Sequence, residues 1–507
     1  MSTREVVRRL RAFESGQPAP RYSTLHKVIS RKALLVCFLR MAGETRPWAV
    51  IYGTPESEPK FLFVPDGRNR NAIDEMIEEF ARDVLSHFRV VGFFDSIETE
   101  TPDVDIEQLW IPNSSHLDML AYINYSYWRR PKDAEEDSAS NVLSRFAGWL
   151  VREANHAGQQ KLVDASSLMR ESFVFPVDDM SALSLEAQEA WFKAGNYKKR
   201  LLSARSAGDR SLGITMDVDV ELELQNYIED VNESRKRQST DPIAEGHIRT
   251  VLFQQALYRW EALKNSYLRL LKDERPFNSG LFELVADTQK RFESDVQRQE
   301  RQQADPEKGP AFIPHPETDF HGSAAAAAYY MRQASESKFL PVMIHGDREL
   351  LKEAIASGHA IHTRVVKVIV EKVGNYSDIY WVVRVAATDE FRMNSGETTL
   401  SPLGNRFHTV KTQNVRFISQ NEVEMTLQWF SRKTTYLDTG LRQRPNYVAW
   451  EGHEMVFVPS DQSIFDEKSA GRVWQSREGI GSWLTHSKTQ SSPDPRVVDD
   501  VTQIEGN

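Results

Sequence analysis

The chain has 507 residues, a net charge of −10, 40 % hydrophobic and 27 % charged residues, and a single cysteine. The length calls for about two to four domains, and the acidic balance excludes a protein that coats nucleic acid by bulk charge. One cysteine excludes an internal disulfide and a thiolate zinc cluster, and no run reaches the ~18 apolar residues of a membrane span.

The first segment, MSTREVVRRLRAF, has no apolar core of signal-peptide length. The expectation is a cytoplasmic protein of a bacterium or similar source, with no membrane contact. Residues 1–12 read as a short basic helix. Across residues 1–50, ten cations (Arg4, Arg8, Arg9, Arg11, Arg21, Lys27, Arg31, Lys32, Arg40, Arg46) face three anions (Glu5, Glu14, Glu44), 10 − 3 = +7. Such a cluster is either a solvated face or a local contact for phosphates or an acidic partner.

KALLVCFLRM and PWAVIYG, joined by the turn-rich AGET, read as a hairpin, and KFLFV as a third strand. Cys37, inside the first of these, reads as a buried small hydrophobe. A helix follows Pro65-Asp66-Gly67, with Ile73, Ile77, Phe80, Val84 and Phe88 on one buried face. Residues 1–105 are therefore expected to form an α+β domain, a sheet packed on a helix.

Residues 106–240 read as a helical domain. Asn113-Ser114-Ser115 supplies a helix cap, and further helices fall near 138–155, 182–206 and 221–237. In residues 241–340 the longest helix carries an apolar stripe, Ile248, Leu252, Ala256, Trp260, Leu263, Tyr267 and Leu270, and Pro276 stops it. With a second helix over about 280–303 it is expected to form an antiparallel hairpin projecting as a stalk. HGSAAAAAYYMRQAS reads as one more helix.

From about 345 the period changes. GDRELLKEAIASG is a helix capped by Asp347 and ended by Gly358. IHTRVVKVIVEKV, IYWVVRVAA, TTLSPLGN, HTVKTQNVRFI and EVEMTLQWF read as five short strands of a small β-barrel spanning residues 341–486, with EMVFVPSDQ as an edge strand. Residues 487–507 read as a disordered tail. The fold class is thus α+β and multidomain.

Candidate chemistry is sparse. GDRSLGIT, Gly208 to Thr215, matches G-x-x-x-x-G-K-[ST] except that Ile214 replaces the lysine. It follows a basic helical run rather than a strand, so glycine spacing alone accounts for it. Asp217, Asp219, Glu221 and Glu223 could line one face of a strand and hold a hard cation. In a helical setting they are a favourable first turn. His315, Glu317, Asp319 and His321 are spaced by two in a proline-rich loop and are weak candidates for a divalent metal. In AYINYSYWRR, Tyr122, Tyr125, Tyr127 and Trp128 interleave with Arg129 and Arg130, which suits base stacking and phosphate contact. At helical spacing the aromatics read more simply as core. No G-x-S-x-G nucleophile elbow occurs.

The order long helical hairpin, ELLKEAIASG helix, then small barrel resembles the accessory stalk-and-barrel region of superfamily 1 nucleic-acid helicases of the nonsense-mediated-decay type, over residues ~245–430. The motor motifs of that family are absent from this sequence. The resemblance implies a non-catalytic accessory or adaptor subunit in bacterial nucleic-acid processing, including anti-phage defence, beside a separate helicase or ATPase. It implies DNA or RNA on the barrel, with Arg364, Lys367, Arg384, Arg406, Lys411 and Arg416 as contacts. The alternatives are a protein scaffold that binds no nucleic acid, and a metal-dependent hydrolase centred on the His315 loop. No cofactor is expected except a divalent metal in that last case.

Overall fold

ALLVCFLR is apolar at seven successive positions and buried along nearly its whole length. A strand of that kind needs cover on both faces. In the computed structural model it is the central strand of a five-stranded sheet. The structure describes residues 3–88, 106–128, 138–177, 184–210, 213–289, 335–373, 376–386, 398–403, 406–429, 449 and 451–460. Two units are distinguished, residues 1–278 with 285–315, and residues 279–284 with 316–507.

The N-terminal unit runs α1 (Thr3–Ser15), β1 (Ala19–Pro20), β2 (Ala33–Arg40), β3 (Pro47–Gly53), β4 (Lys60–Phe63), α2 (Arg70–His87), β5 (Gln108–Ile111), α3 (Leu117–Tyr127), α4 (Ala139–Glu153), β6 (Leu162–Asp164), α5 (Ala165–Ser172), β7 (Phe173–Val174), α6 (Leu185–Trp191), α7 (Tyr197–Arg210), α8 (Val218–Lys236) and α9 (Pro242–Leu271). The sheet order is β4-β3-β2-β5-β6. β2, β3 and β4 form an antiparallel meander, whereas β5 runs parallel to β2 and β6 parallel to β5.

Alternate residues of the strands feed two cores. Leu34, Val36, Phe38, Val50, Leu109 and Ile111 pack with side chains of α2, α3 and α4. Leu35, Cys37, Leu39, Ile51, Trp110 and Val163 pack with α5, α6, α8 and α9. The result is a helix–sheet–helix sandwich. All five residues named on the face of α2 are buried, as are all seven of the α9 stripe. Each Ile, Leu, Val and Phe among them is worth about 1.5–3 kcal/mol in burial.

Two expectations are corrected here. Residues 106–240 are not a separate helical domain, because β5 and β6 complete the first sheet. QLWI is buried at all four positions and LVD is three residues long, so neither shows the alternation that marks a strand. α9 is not a projecting stalk either. Its stripe closes one face of the sheet, and Tyr267 Oη donates to the Ser30 carbonyl at 3.0 Å. The expected second helix is helical over 282–289, and its remainder lies outside the described residues.

Among the described residues, the C-terminal unit holds helical segments over 335–346 and Arg348–Ala356, and six strands: β8 (Ile361–Val373), β9 (Tyr376–Ala386), β10 (Thr398–Leu403), β11 (Arg406–Ser419), β12 (Glu422–Trp429) and β13 (Glu454–Ser460). Asp347 caps the Arg348–Ala356 helix by accepting from the Glu349 and Leu350 amides at 2.9 and 3.0 Å. The strands pair in the order β10-β11-β12-β9-β8-β13. β13 is not an edge strand, since it pairs with both β8 and β10. β12 alternates without a break: Val423, Met425, Leu427 and Trp429 are buried, and Glu422, Glu424, Thr426 and Gln428 face outward. Trp381 and Trp429 stack at 5.7 Å inside the ring of strands, and Trp381 Nε1 donates to the Ala449 carbonyl at 3.0 Å.

Candidate nucleic-acid interface

In open sheets with parallel strands, ligands bind beyond the carboxyl ends of the strands where the chain reverses its direction of travel across the sheet. That position in the N-terminal unit lies between β2 and β5, and the chain itself fills it. The Arg40 amide donates to the Ile214 carbonyl at 2.8 Å, and the Met216 amide to the Arg40 carbonyl at 2.9 Å. Arg40 Nε donates to Thr215 Oγ1 at 3.2 Å and Arg259 Nε to the Gly213 carbonyl at 2.9 Å. Ile214 is buried in the core beneath α2, α3 and α4.

Gly213, Ile214 and Thr215, the end of GDRSLGIT, are therefore a plug. The first residues of that motif, Gly208 to Arg210, end α7. Gly213 has φ +63°, and a Cβ there would stand 2.8 Å from Ser115 Oγ. This glycine is explained by its backbone turn and by the close approach of Ser115, with no phosphate required.

Other polar groups at this end of the sheet are engaged too, although the buried Nε2 of His116 has no hydrogen-bonding partner among the described residues. His116 is fully buried, with Nδ1 3.2 Å from Asn113 Oδ1. Burial, with the nearby Arg259 charge, pushes its imidazole down to about 3, so the ring is neutral at ordinary pH. Asp164 caps α5, accepting from the Ser167 amide and hydroxyl at 3.0 Å each. Burial raises its carboxyl above the usual range. Burial likewise raises the Cys37 thiol well above its ordinary value, which leaves it a poor nucleophile.

The acidic run after Thr215 follows the helical alternative. Asp217 caps α8, with its side chain accepting from the Asp219 amide at 2.9 Å. Glu221 accepts from the Ala42 amide. Among the described residues, no group of three or more His, Cys, Asp or Glu is placed to hold a metal ion. His315, Glu317, Asp319 and His321 lie outside the described residues, as do Arg129 and Arg130. Tyr125 is not core as expected; it is 75 % exposed on α3. Tyr127 instead donates to Asp74 Oδ1 at 2.7 Å.

The barrel candidates come together more closely than their spacing suggests. Strand register places Glu454, Arg364, Arg384, Glu424 and Arg416 side by side, one on each of β13, β8, β9, β12 and β11. Their chain neighbours Val365, Val383, Val423, Met425 and Met455 are buried, so this row lies on the outer face. Lys367, past a bulge in β8, faces Val382 in the next row, and Lys411 pairs with Gln428 further along. Arg406 opens β11 opposite Leu403, and its side chain lies outside the described set.

Arg364 and Arg384 are direct cross-strand partners. Like charges so placed repel each other. Arg384 is held only loosely, 3.9 Å from Glu422 and 3.8 Å from Glu424, beyond hydrogen-bond length. Among the described residues, Arg364, Lys367, Lys411 and Arg416 have no ion-pair or hydrogen-bonding side-chain partner. The two opposed arginines line a cleft of about 600 Å³ with Val365, Val385, Asn421, Glu422 and Gly452. The β11–β12 hairpin that brings Asn421 and Glu422 to this cleft also carries Phe417 and Ile418, 66 % and 45 % exposed.

Sequence reading missed the carboxylates Glu424 and Glu454. The motif VRFISQNEVE contains the first, but only strand register shows that they flank the arginines. No family model matches this chain, and no curated protein is significantly similar to it.

Proposed function

We propose that the protein is a non-catalytic accessory factor that holds a nucleic-acid strand against the outer face of its C-terminal barrel, while a separate helicase or ATPase supplies the motor. The setting is bacterial nucleic-acid processing, with anti-phage defence as one such process. The observation that carries the reading is the Arg364–Arg384 pair lining an open cleft. Two opposed guanidinium groups are a local conflict that an anion would relieve, and such conflicts gather at functional sites. A phosphate diester is the anion whose chain could continue past Arg416, Lys367 and Lys411.

The test is fluorescence anisotropy with labelled single- and double-stranded oligonucleotides at two salt concentrations. Binding should weaken as salt rises. Replacing Arg364, Arg384 and Arg416 by alanine should lower the salt slope by about one for each phosphate no longer held.

One observation favours a second reading. Glu422, Glu424 and Glu454 interleave with the arginines and make the surface charge nearly balanced. A mixed face of this kind suits a protein partner of complementary pattern. In that case no oligonucleotide binds at any salt, and the chain is a scaffold.

A further inference from the structure

α1 is packed with its charged face inward. Ala12 is fully buried, and Gly16, just past the helix end, lies against Tyr197. On the same side, Glu5 Oε1 accepts from Arg21 at 2.9 Å, Arg9 lies 3.4 Å from Glu5, and Arg8 donates to the Pro20 carbonyl. The opposite side presents Val6, Val7, Leu10 and Phe13 to solvent, each between 41 % and 59 % exposed. Val6, Leu10 and Phe13 are spaced i, i+4, i+7, which makes one continuous ridge. A helix on a globular body normally turns its apolar stripe to the core. Here the inward face is held by ion pairs and the apolar ridge is left outside.

The ridge has a basic border. Arg11 is exposed beside Val7, and the anion Glu14 is exposed between Val7 and Leu10. Phe13 meets Tyr197 edge to face at 5.8 Å. Tyr197 opens α7, which exposes Lys198, Lys199 and Leu202. Lys193, in the turn before α7, is exposed as well. An apolar ridge edged mostly by cations is the pattern of a helix that lies in a membrane interface.

We propose that α1 and the start of α7 form a peripheral docking surface for a bilayer carrying anionic phospholipid. Val6, Leu10 and Phe13 enter the headgroup–acyl boundary, and Arg11, Lys193, Lys198 and Lys199 meet lipid phosphates and carboxylates. A nucleic acid does not fit, because the centre of the patch is apolar. A protein partner needs about 800 Å² on each side of a stable interface, more than four half-exposed side chains offer. A bilayer needs only shallow insertion of a few side chains together with cations. The proposal departs from the expectation of no membrane contact. That expectation rested on spans, and no helix among the described residues is long and apolar enough to cross a membrane.

Sedimentation of the full chain with vesicles tests it, using phosphatidylcholine alone and phosphatidylcholine with about one-third phosphatidylserine. The chain should pellet with the anionic vesicles and not with the neutral ones, less so as salt rises. Lys198→Glu with Lys199→Glu should weaken binding roughly tenfold or more. Leu10→Ser with Phe13→Ser should abolish it while lowering the melting temperature only slightly, through loss of the Phe13–Tyr197 ring contact. Phe13→Trp should give a tryptophan whose emission shifts to the blue on anionic vesicles. Absence of pelleting at low salt overturns the proposal. So does pelleting that survives the Leu10/Phe13 change, which would be charge attraction alone. If sedimentation velocity shows a dimer that the same change converts to monomer, the ridge is covered by a second copy and the proposal is also overturned.

Discussion

The carboxyl ends of the N-terminal sheet and the outer face of the barrel are both rich in polar and charged side chains, and they use them in opposite ways. At the sheet, Arg40, Asn113, Asp164 and Arg259 all bond to groups of the same chain. Little is left for a ligand, and the crevice is filled by Gly213 to Met216. On the barrel, cations stand in one row with loose partners or none among the described residues. Buried polar groups must be satisfied internally because water cannot do it. Exposed ones need no such partner, so their arrangement is free to serve a ligand. The comparison places stability at the first site, and the proposed function places recognition at the second.

The largest expected effect breaks the plug. Arg259 is nearly fully buried and holds the Gly213 carbonyl as well as Gln255. Arg259→Ala leaves that carbonyl unpaired and opens a cavity, and should destabilise the N-terminal unit by about 3 kcal/mol in urea unfolding. Oligonucleotide affinity at the barrel should change less than about twofold, as sites without shared partners are nearly independent. The unaltered protein should show no rise in melting temperature with magnesium and ATP. A ligand at a hundred times its Kd would add about 2.7 kcal/mol, so a clear rise would mean that the crevice opens to nucleotide and that the comparison fails.

Gly213→Ala should cost about 2 kcal/mol, from a positive φ and a clash with Ser115. If the glycine served a phosphate instead, alanine would change nucleotide binding and leave stability nearly untouched.

Acid should act on the sheet unit through His116. The buried imidazole is held near 3, against an ordinary 6.5. Between those values the unfolded chain binds a proton that the folded one does not. The contribution is fully present above about pH 6.5 and is lost as the pH falls towards 3, by at most roughly 1.4 kcal/mol per pH unit. His116→Gln should flatten that slope in melts taken from pH 7 to pH 4. An unchanged slope would place the acid sensitivity elsewhere.

How much of this can be read from the residues depends on period. The α2 and α9 stripes and the strands of the barrel have clear periods, and they are legible. β5 and β6 are not, because a short strand buried on both faces has no alternation to read. Without them the sheet lacks its parallel half, and α9 has nothing to cover, so it reads as a stalk. GDRSLGIT can be excluded as a phosphate loop from its missing lysine and its helical approach. That it plugs the sheet depends on contacts with Arg40 and Arg259, distant in sequence. The cations of the barrel are visible one by one. Their row, and the carboxylates that interrupt it, follow from strand register, which one strand's sequence does not carry.

The smallest expected effect separates the two readings of that row. Glu424 stands between Arg384 and Arg416 and is loosely paired with the former. An exposed pair of this kind contributes about 0–1 kcal/mol to folding, so Glu424→Gln should leave the melting temperature almost unchanged. If the row holds phosphates, removing a carboxylate that competes for Arg384 and repels the ligand should tighten oligonucleotide binding, by about twofold to tenfold at low salt. The gain should shrink as salt screens it. If the row instead matches a protein partner of mixed charge, the same change removes one of the complementary charges, and oligonucleotides remain unbound. The sign of the change on nucleic-acid affinity therefore decides whether the carboxylates are part of the recognition surface or only moderate the repulsion between its arginines.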